Sequence, residues 1–385
     1  MAFGDEIIIG TSINNTMGIT GKGYDLLQLV NAAVEAETMG FDAVWVHDAL
    51  TGRRTTAAYC PIHALTAVAM RTKHIKLCTG ILIPQIRNPI HTAQQWATLW
   101  EASEGRAIMG AGTGAGKNTI YKRQFDALAA VRGANKSALD GGQLFEHRTA
   151  LFAECLDVMN RLWTEDKFAY DGQFYKFGEM TLGIARPQQK PPILVAGGIY
   201  VPAEGVGAHH YTWNRDVAGT LMMGPRIRRV AALQGDGWLA VHPTPDEIDD
   251  IWADIQDIAL DLGKGPGSGS AYGSPYLKGM NWFANCDDDP DVAWRGVQSQ
   301  LTDFHGPPEG RDKCQPDLVD RWQLSGSGKA MADKINTYIE HGVTIFQLVI
   351  ASSNQMGMMR KIAEEVLPHI NREPPTGARG GIAAA

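Results

Sequence analysis

Cysteine is scarce in this chain. Among 385 residues only Cys60, Cys78, Cys155, Cys286 and Cys314 carry a thiol, an odd and scattered set with no C-x-x-C spacing. A disulfide framework and a cysteine-built zinc site are not expected from such a set, and a reducing, cytoplasmic setting fits it. Long apolar runs are missing too: none approaches the roughly 18 residues that cross a bilayer. The opening MAFGDEIIIGTSI has neither a basic segment nor a small-residue cleavage site, so no signal peptide is expected. Positive charge is not in excess, since 35 Lys and Arg face 42 Asp and Glu for a net charge of −7. That balance argues against nonspecific nucleic-acid binding. HExxH, GxSxG and paired Cys/His sets are absent, which removes the common zinc-hydrolase and serine-hydrolase readings and leaves no metal expected.

What is present is an alternation of strand and helix signals. EIIIGTSI (6–13), FDAVWVHD (41–48), IKLCTGILI (75–83), RAIMGAG (106–112), PPILVAGG (191–198), GDGWLAV (235–241), GMNWFAN (279–285) and VTIFQLVI (343–350) read as eight short apolar strands. Parallel strands buried on both faces need not alternate polar and apolar residues. Residues 24–39 place Leu26, Leu27, Leu29, Val30, Ala33 and Val34 at helical spacing, and residues 146–163 do so with Leu151, Phe152, Cys155, Leu156, Met159, Leu162 and Trp163. In KFAYDGQFYKF, Asp171-Gly172 sits between aromatic runs, a hairpin signal. Eight strands, most followed by a helix, predict an α/β fold, a (β/α)8 TIM barrel with insertions after strands four and five. One domain over 1–372 is expected, with insertions at about 112–192, 199–221 and 262–279 and a flexible tail at 373–385.

In such a barrel the active site forms at the C-terminal strand ends. Strand one exits at Ser12 and Asn14, strand two at His47-Asp48, strand six at His242 and strand eight at Gln347. Ser12, Asn14, His242 and Gln347 are therefore candidate substrate contacts. His47 and Asp48 are candidate acid/base groups, because an imidazole titrates near neutrality; a structural histidine bonded to a neighbouring loop is the other reading. Strand three ends in TGILIPQIRNP, with a glycine inside an apolar strand, which marks a bulge or a close approach.

Taken in order and spacing, TGILIPQIRNPIHTAQQWATL, EGRAIMGAGTGAGKN, EHRTALFAECLDVMNRLW, ILVAGG, GPRIRRVAALQGDGWL and EEVLPHI resemble the luciferase-like flavin-dependent superfamily over nearly the whole chain. The RNP, GTGxxxN and GPRxxR…GDGW segments are most similar to reductases and dehydrogenases that use coenzyme F-420, an 8-hydroxy-5-deazaflavin. The FMN-dependent monooxygenases of the same superfamily are the second reading, served by a flavin or deazaflavin reductase partner. A non-catalytic coenzyme-binding protein is the third. The resemblance implies hydride transfer to or from a small molecule, a homo-oligomer, and no nucleic-acid or membrane partner.

The resemblance also implies site residues. A cis peptide at Gly80–Ile81, with Thr79 before it, would stand behind the coenzyme ring; an ordinary β-bulge is the alternative. Gly112, Thr113, Gly114 and Asn118 would contact the coenzyme, and Ala196, Gly197 and Gly198 would offer backbone N–H groups to its phosphate or ribityl chain. Gly224 and Pro225 open a helix whose Arg226 and Arg229 would meet a phosphate or acidic tail, or form a solvated face. Three positions depart from the family's sugar-phosphate dehydrogenases. Ala49 stands at their histidine, Ala115 at their acidic residue, and Thr244 near their phosphate-binding lysine. A neutral or apolar substrate is therefore expected. Tyr200, His209, His210, Tyr211 and Trp213 would line or cover its pocket, or make an oligomer contact.

Overall fold

The structure, a computed structural model, describes residues 6–13, 24–49, 58–114, 125, 147–202, 219–264, 276–305 and 314–373. In chain order the first strands are β1 (Ile8–Ser12), β2 (Ala43–Val46), β3 (Lys76–Leu82) and β4 (Ala107–Ala111). A hairpin follows, β5 (Phe168–Asp171) and β6 (Lys176–Met180), then β7 (Ile193–Gly197) and a ribbon of β8 (Ile199–Val201) and β9 (Thr220–Met222). The last are β10 (Gly237–Ala240), β11 (Leu277–Cys286), β12 (Gln323–Gly326) and β13 (Ile345–Ile350). Strands β1, β2, β3, β4, β7, β10, β11 and β13 pair in that order, and β13 returns to β1, so the expected parallel eight-stranded barrel closes.

Side-chain parity fills the barrel. Ile8, Ala43, Trp45, Cys78, Ile108, Leu194, Leu239, Leu277 and Ile345 form one interior cluster to which every barrel strand contributes. Residues of the opposite parity, among them Val44, Leu77, Met109, Val195, Trp282 and Leu348, belong to a second cluster shared with the helices. Both parities are apolar, which is why these strands read as unbroken hydrophobic runs. Each fully buried side chain of this size contributes roughly 1.5–3 kcal/mol.

The outer layer comprises α1 (Leu26–Thr38), α2 (Pro61–Ala69), α3 (Pro89–Ala102), α4 (Arg148–Thr164), α5 (Pro225–Gln234), α6 (Pro245–Asp261), α7 (Pro290–His305), α8 (Pro316–Trp322), α9 (Gly328–Glu340) and α10 (Gln355–Glu365). Helix α1 starts on a capping box between Asp25 and Gln28, which satisfies two otherwise orphaned amides. It ends before Gly40, whose φ is +89°. Its buried face runs through Leu29, Val30, Ala32, Ala33 and Ala36, while Leu27 is 64% exposed. The expected face therefore begins one turn later, because the capped first turn stands clear of the sheet. Helix α4 buries all seven of the side chains expected of it.

The hairpin forms, but not on a two-residue turn. Its loop runs from Gly172 to Tyr175, and the carboxylate of Glu154 accepts N–H bonds from Gln173, Phe174 and Tyr175 at 2.8, 2.8 and 3.2 Å. A charged acceptor on α4 thus satisfies the loop amides, beside the local bond from the Gly172 N–H to the Tyr175 carbonyl at 2.9 Å. Two elements go beyond the expected plan. Strand β12 pairs with the upper end of β11, from Phe283 to Cys286, outside the closed barrel. Helix α8 and β8 share a third cluster with Phe283 and Val349, the last inward residues of β11 and β13. All five cysteines are free thiols, four of them buried. Among the described residues no helix is long and apolar enough to cross a membrane.

Candidate active site

At the C-terminal strand ends, β2 and β3 lie side by side with Trp45 opposite Cys78. That register sets His47 against Gly80. His47 Nδ1 lies 2.7 Å from the Gly80 carbonyl oxygen. A carbonyl only accepts, so Nδ1 carries the proton and donates. Burial pushes the imidazole below its ordinary value of 6.5, against a smaller upward pull from the Gly80 carbonyl. At neutral pH the ring is therefore uncharged. The Gly80–Ile81 peptide is cis, and the β3–β4 register shifts between Thr79 and Leu82.

Asp48 is placed differently from the sequence expectation. Arg87 grips it bidentately, Nη1 and Nη2 donating to Oδ2 and Oδ1 at 2.6 Å each. Oδ2 also accepts from the Ile83 amide at 2.9 Å. The Asp48 side chain is 1% exposed. Both oxygens are committed, so Asp48 anchors the exit of β3 rather than carrying protons. Arg87 was missed as a site residue; in RNP its neighbour Asn88 caps α3, while Arg87 itself turns back to Asp48 and the Ile83 carbonyl.

Several expected contacts converge. Ile81 reaches across the mouth: a Cβ on Gly112 would lie 2.5 Å from Ile81 Cδ1 and 3.4 Å from the Ala196 side chain. Gly80, Ile81, Gly112 and Ala196 thus make one continuous wall across β3, β4 and β7. Ser12 and Gln347 meet behind Gly80, Gln347 Nε2 donating to Ser12 Oγ at 3.1 Å. Gln347 is wholly buried, so it supports the wall instead of facing an open pocket. Thr113 and Gly114 follow Gly112, half-buried, with Gly114 at a φ of +76°.

The remaining candidates are bound into the fold or lie at its surface. Thr79 is fully buried and its hydroxyl donates to the Gly110 carbonyl at 2.9 Å, within the sheet. His242 is 2% exposed. Its Nδ1 accepts from the Tyr200 amide at 2.8 Å, and its ring sits edge-on to Trp322 at 4.4 Å. It is an internal strut between β8, β10 and α8. The Gly197 carbonyl is taken by Trp238 Nε1 at 2.9 Å, and Gly198 has a φ of +88°. Gly224, Pro225, Arg226 and Arg229 are exposed at the start of α5. Thr244 forms the capping box of α6 with Glu247, and Glu247 is ion-paired to Arg321. Asn14, Asn118, Ala115, His209, His210, Tyr211 and Trp213 lie outside the described residues. No cluster of metal-ligating side chains occurs among the described residues.

The family profile described as luciferase-like monooxygenase matches residues 6–209. The chain belongs to that family. Within the luciferase-like family it is similar to an F420-dependent glucose-6-phosphate dehydrogenase of Intrasporangium calvum. The two are 25% identical over 358 residues, covering 89% of this chain and 94% of the relative. Its fold matches that of an F420-dependent secondary alcohol dehydrogenase in complex with an F420-acetone adduct, with a TM-score of 0.68 and 20% identity over 95% of this chain and 99% of the other. It also matches the oxygenating constituent of a 3,6-diketocamphane monooxygenase from Pseudomonas putida in complex with FMN. There the TM-score is 0.62 and the identity 17%, over 95% of this chain and 99% of the other.

Proposed function

We propose that this protein is an oxidoreductase that transfers a hydride between coenzyme F-420 and a small, uncharged organic substrate such as an alcohol or carbonyl. The observation that carries the reading is the His47–Gly80 bond beside an uncharged wall formed by Ile81 and Ala196. A flat ring needs an uncharged surface to lie against. Ile81, whose tip fills the space beside Gly112 next to Ala196, offers such a surface, so the residues present fit the coenzyme. Thr113 and Gly114 would complete the ring's surroundings. Gly198 and the start of α5, with Arg226 and Arg229, would meet the phosphate and acidic tail through free N–H groups and charge. When bound, the coenzyme supplies the carbon that accepts or gives the hydride.

The protein's own part is proton handling and position. His47, held neutral with Nδ1 committed to Gly80, takes the substrate hydroxyl proton on Nε2 in the oxidative direction and returns it in the reductive one. Asp48 and Arg87 fix the backbone on which His47 and Ile81 depend. The absence of a lysine at Thr244, and the pairing of Arg321 with Glu247, support a substrate without a phosphate.

Oxidised coenzyme F-420 and FMN, titrated separately into the purified protein, test the reading. Fluorescence quenching at micromolar levels is expected for the deazaflavin. Bleaching of the bound coenzyme by secondary alcohols but not by glucose 6-phosphate is expected next. Binding of FMN alone, with oxygen uptake once FMN is reduced, would replace this reading by an FMN-dependent monooxygenase fed by a reductase, the reaction type of the diketocamphane neighbour.

A further inference from the structure

Gln347 has a feature that the proposed chemistry does not use. It projects inward from β13, wholly buried, and its Nε2 is satisfied by Ser12. Its Oε1 is a buried acceptor with no hydrogen-bond partner among the described residues. An orphaned buried acceptor costs about 1–3 kcal/mol, so an apolar residue of similar size would serve the packing better.

The geometry shows what the carboxamide faces. A Cβ built on Gly80 would lie 2.6 Å from Gln347 Cδ, and closer still to both terminal atoms. Both terminal atoms are nearer than Cδ, so the amide points its tip at Gly80 and fills the space beside its Cα. Gly80 is therefore held from two directions: His47 takes its carbonyl at 2.7 Å, and Gln347 blocks its Cα. Ser12 holds the amide in that position. A continuous line of contacts runs from β1 through β13 and β3 to β2, as Ser12, Gln347, Gly80 and His47.

We propose that Gln347 is a positioning residue, which fixes the depth of Gly80 in the barrel and through it the orientation of the His47 ring. The inference rests on the proposed coenzyme chemistry for its functional consequence, but its structural half stands without it. Ser12 belongs to the same device, as the anchor of the amide. The Ser12 bond fixes the amide tip where a thioether would have no anchor, and that is the reason for a glutamine at this buried position.

The test uses the full chain with 15N-labelled histidine and two variants, Gln347→Met and Ser12→Ala. In the unliganded wild type the His47 ring, identified by its loss in His47→Gln, should show the Nδ1–H tautomer with a slowly exchanging proton. In Gln347→Met that signature should be lost or averaged, and in Ser12→Ala weakened. Unfolding midpoints should change little, since the deleted amide was half-unsatisfied. Coenzyme F-420 should bind Gln347→Met about tenfold more weakly, equivalent to about 1.4 kcal/mol. An unchanged His47 signature in both variants would overturn the proposal whatever the coenzyme does. Failure of the wild type to bind the coenzyme, with the His47 signature responding as described, would overturn the functional reading and leave Gln347 as the support of His47.

Discussion

Replacing Arg87 by methionine isolates the clamp at the end of β3. Asp48 has 1% side-chain exposure and Arg87 15%, so the arginine removes a charge that the aspartate cannot carry into water. Methionine keeps most of the stem volume and deletes both 2.6 Å bonds. Breaking a buried pair from one side costs about 3–5 kcal/mol, because the partner is left charged and uncompensated. Asp48→Asn on top of Arg87→Met removes that charge while keeping an acceptor for the Ile83 amide. The double variant should therefore recover at least about half of the loss, against a hydrogen-bond term of about 1 kcal/mol for what stays missing. Urea unfolding followed by tryptophan fluorescence reads both values from the midpoints and slopes. A cost below about 1 kcal/mol for Arg87→Met would place the pair among ordinary surface contacts and refute the reasoning. So would a double variant no more stable than the single one.

Two further outcomes follow from the site. The His47 imidazole lies below its ordinary 6.5 because of burial, so the unfolded chain takes up its proton first as pH falls. Its contribution to stability is complete above about pH 6.5 and is lost as pH falls below it. Stability measured from pH 8 to pH 5 should show that slope, flattened in His47→Gln, and an identical slope in the variant would exclude His47 as its source. Three glycine-to-alanine changes should rank by what the new methyl meets: the backbone carbonyl of Thr79 for Gly110, the buried amide of Gln347 for Gly80, and the movable tip of Ile81 for Gly112. Soluble yield and unfolding midpoint should fall in the order Gly112→Ala, Gly80→Ala, Gly110→Ala from least to most damaged, and any other order would contradict the close approaches described.

Much of the barrel was legible because strands with both faces covered leave pure apolar runs, as in AVWV and ILVAG. The residue type at the end of β2 was legible as well, since His47 follows such a run directly. Its partner was not, because a backbone carbonyl leaves no mark in a sequence. The Asp48–Arg87 pair depends on β2 lying next to β3, and the Gln347–Gly80 contact depends on closure of the barrel through β13 and β1. Both join positions that only the closed sheet brings together. Strand β12, QLSG, is four residues long and polar at its first position; its strand character comes from the exposed edge of β11, not from its own composition. The hairpin was recognisable from Asp171-Gly172, whereas its loop was set by Glu154 on another element.

The cover of Trp322 and Tyr200 over Asn281, Phe283 and Val349 has a consequence for engineering. Phe283 and Val349 pack under the molecule's own α8, so trimming either would deepen a cleft against that roof. Broadening the range of accepted molecules should instead come from the opposite half of the rim, where β1 through β4 end and where His47 already stands.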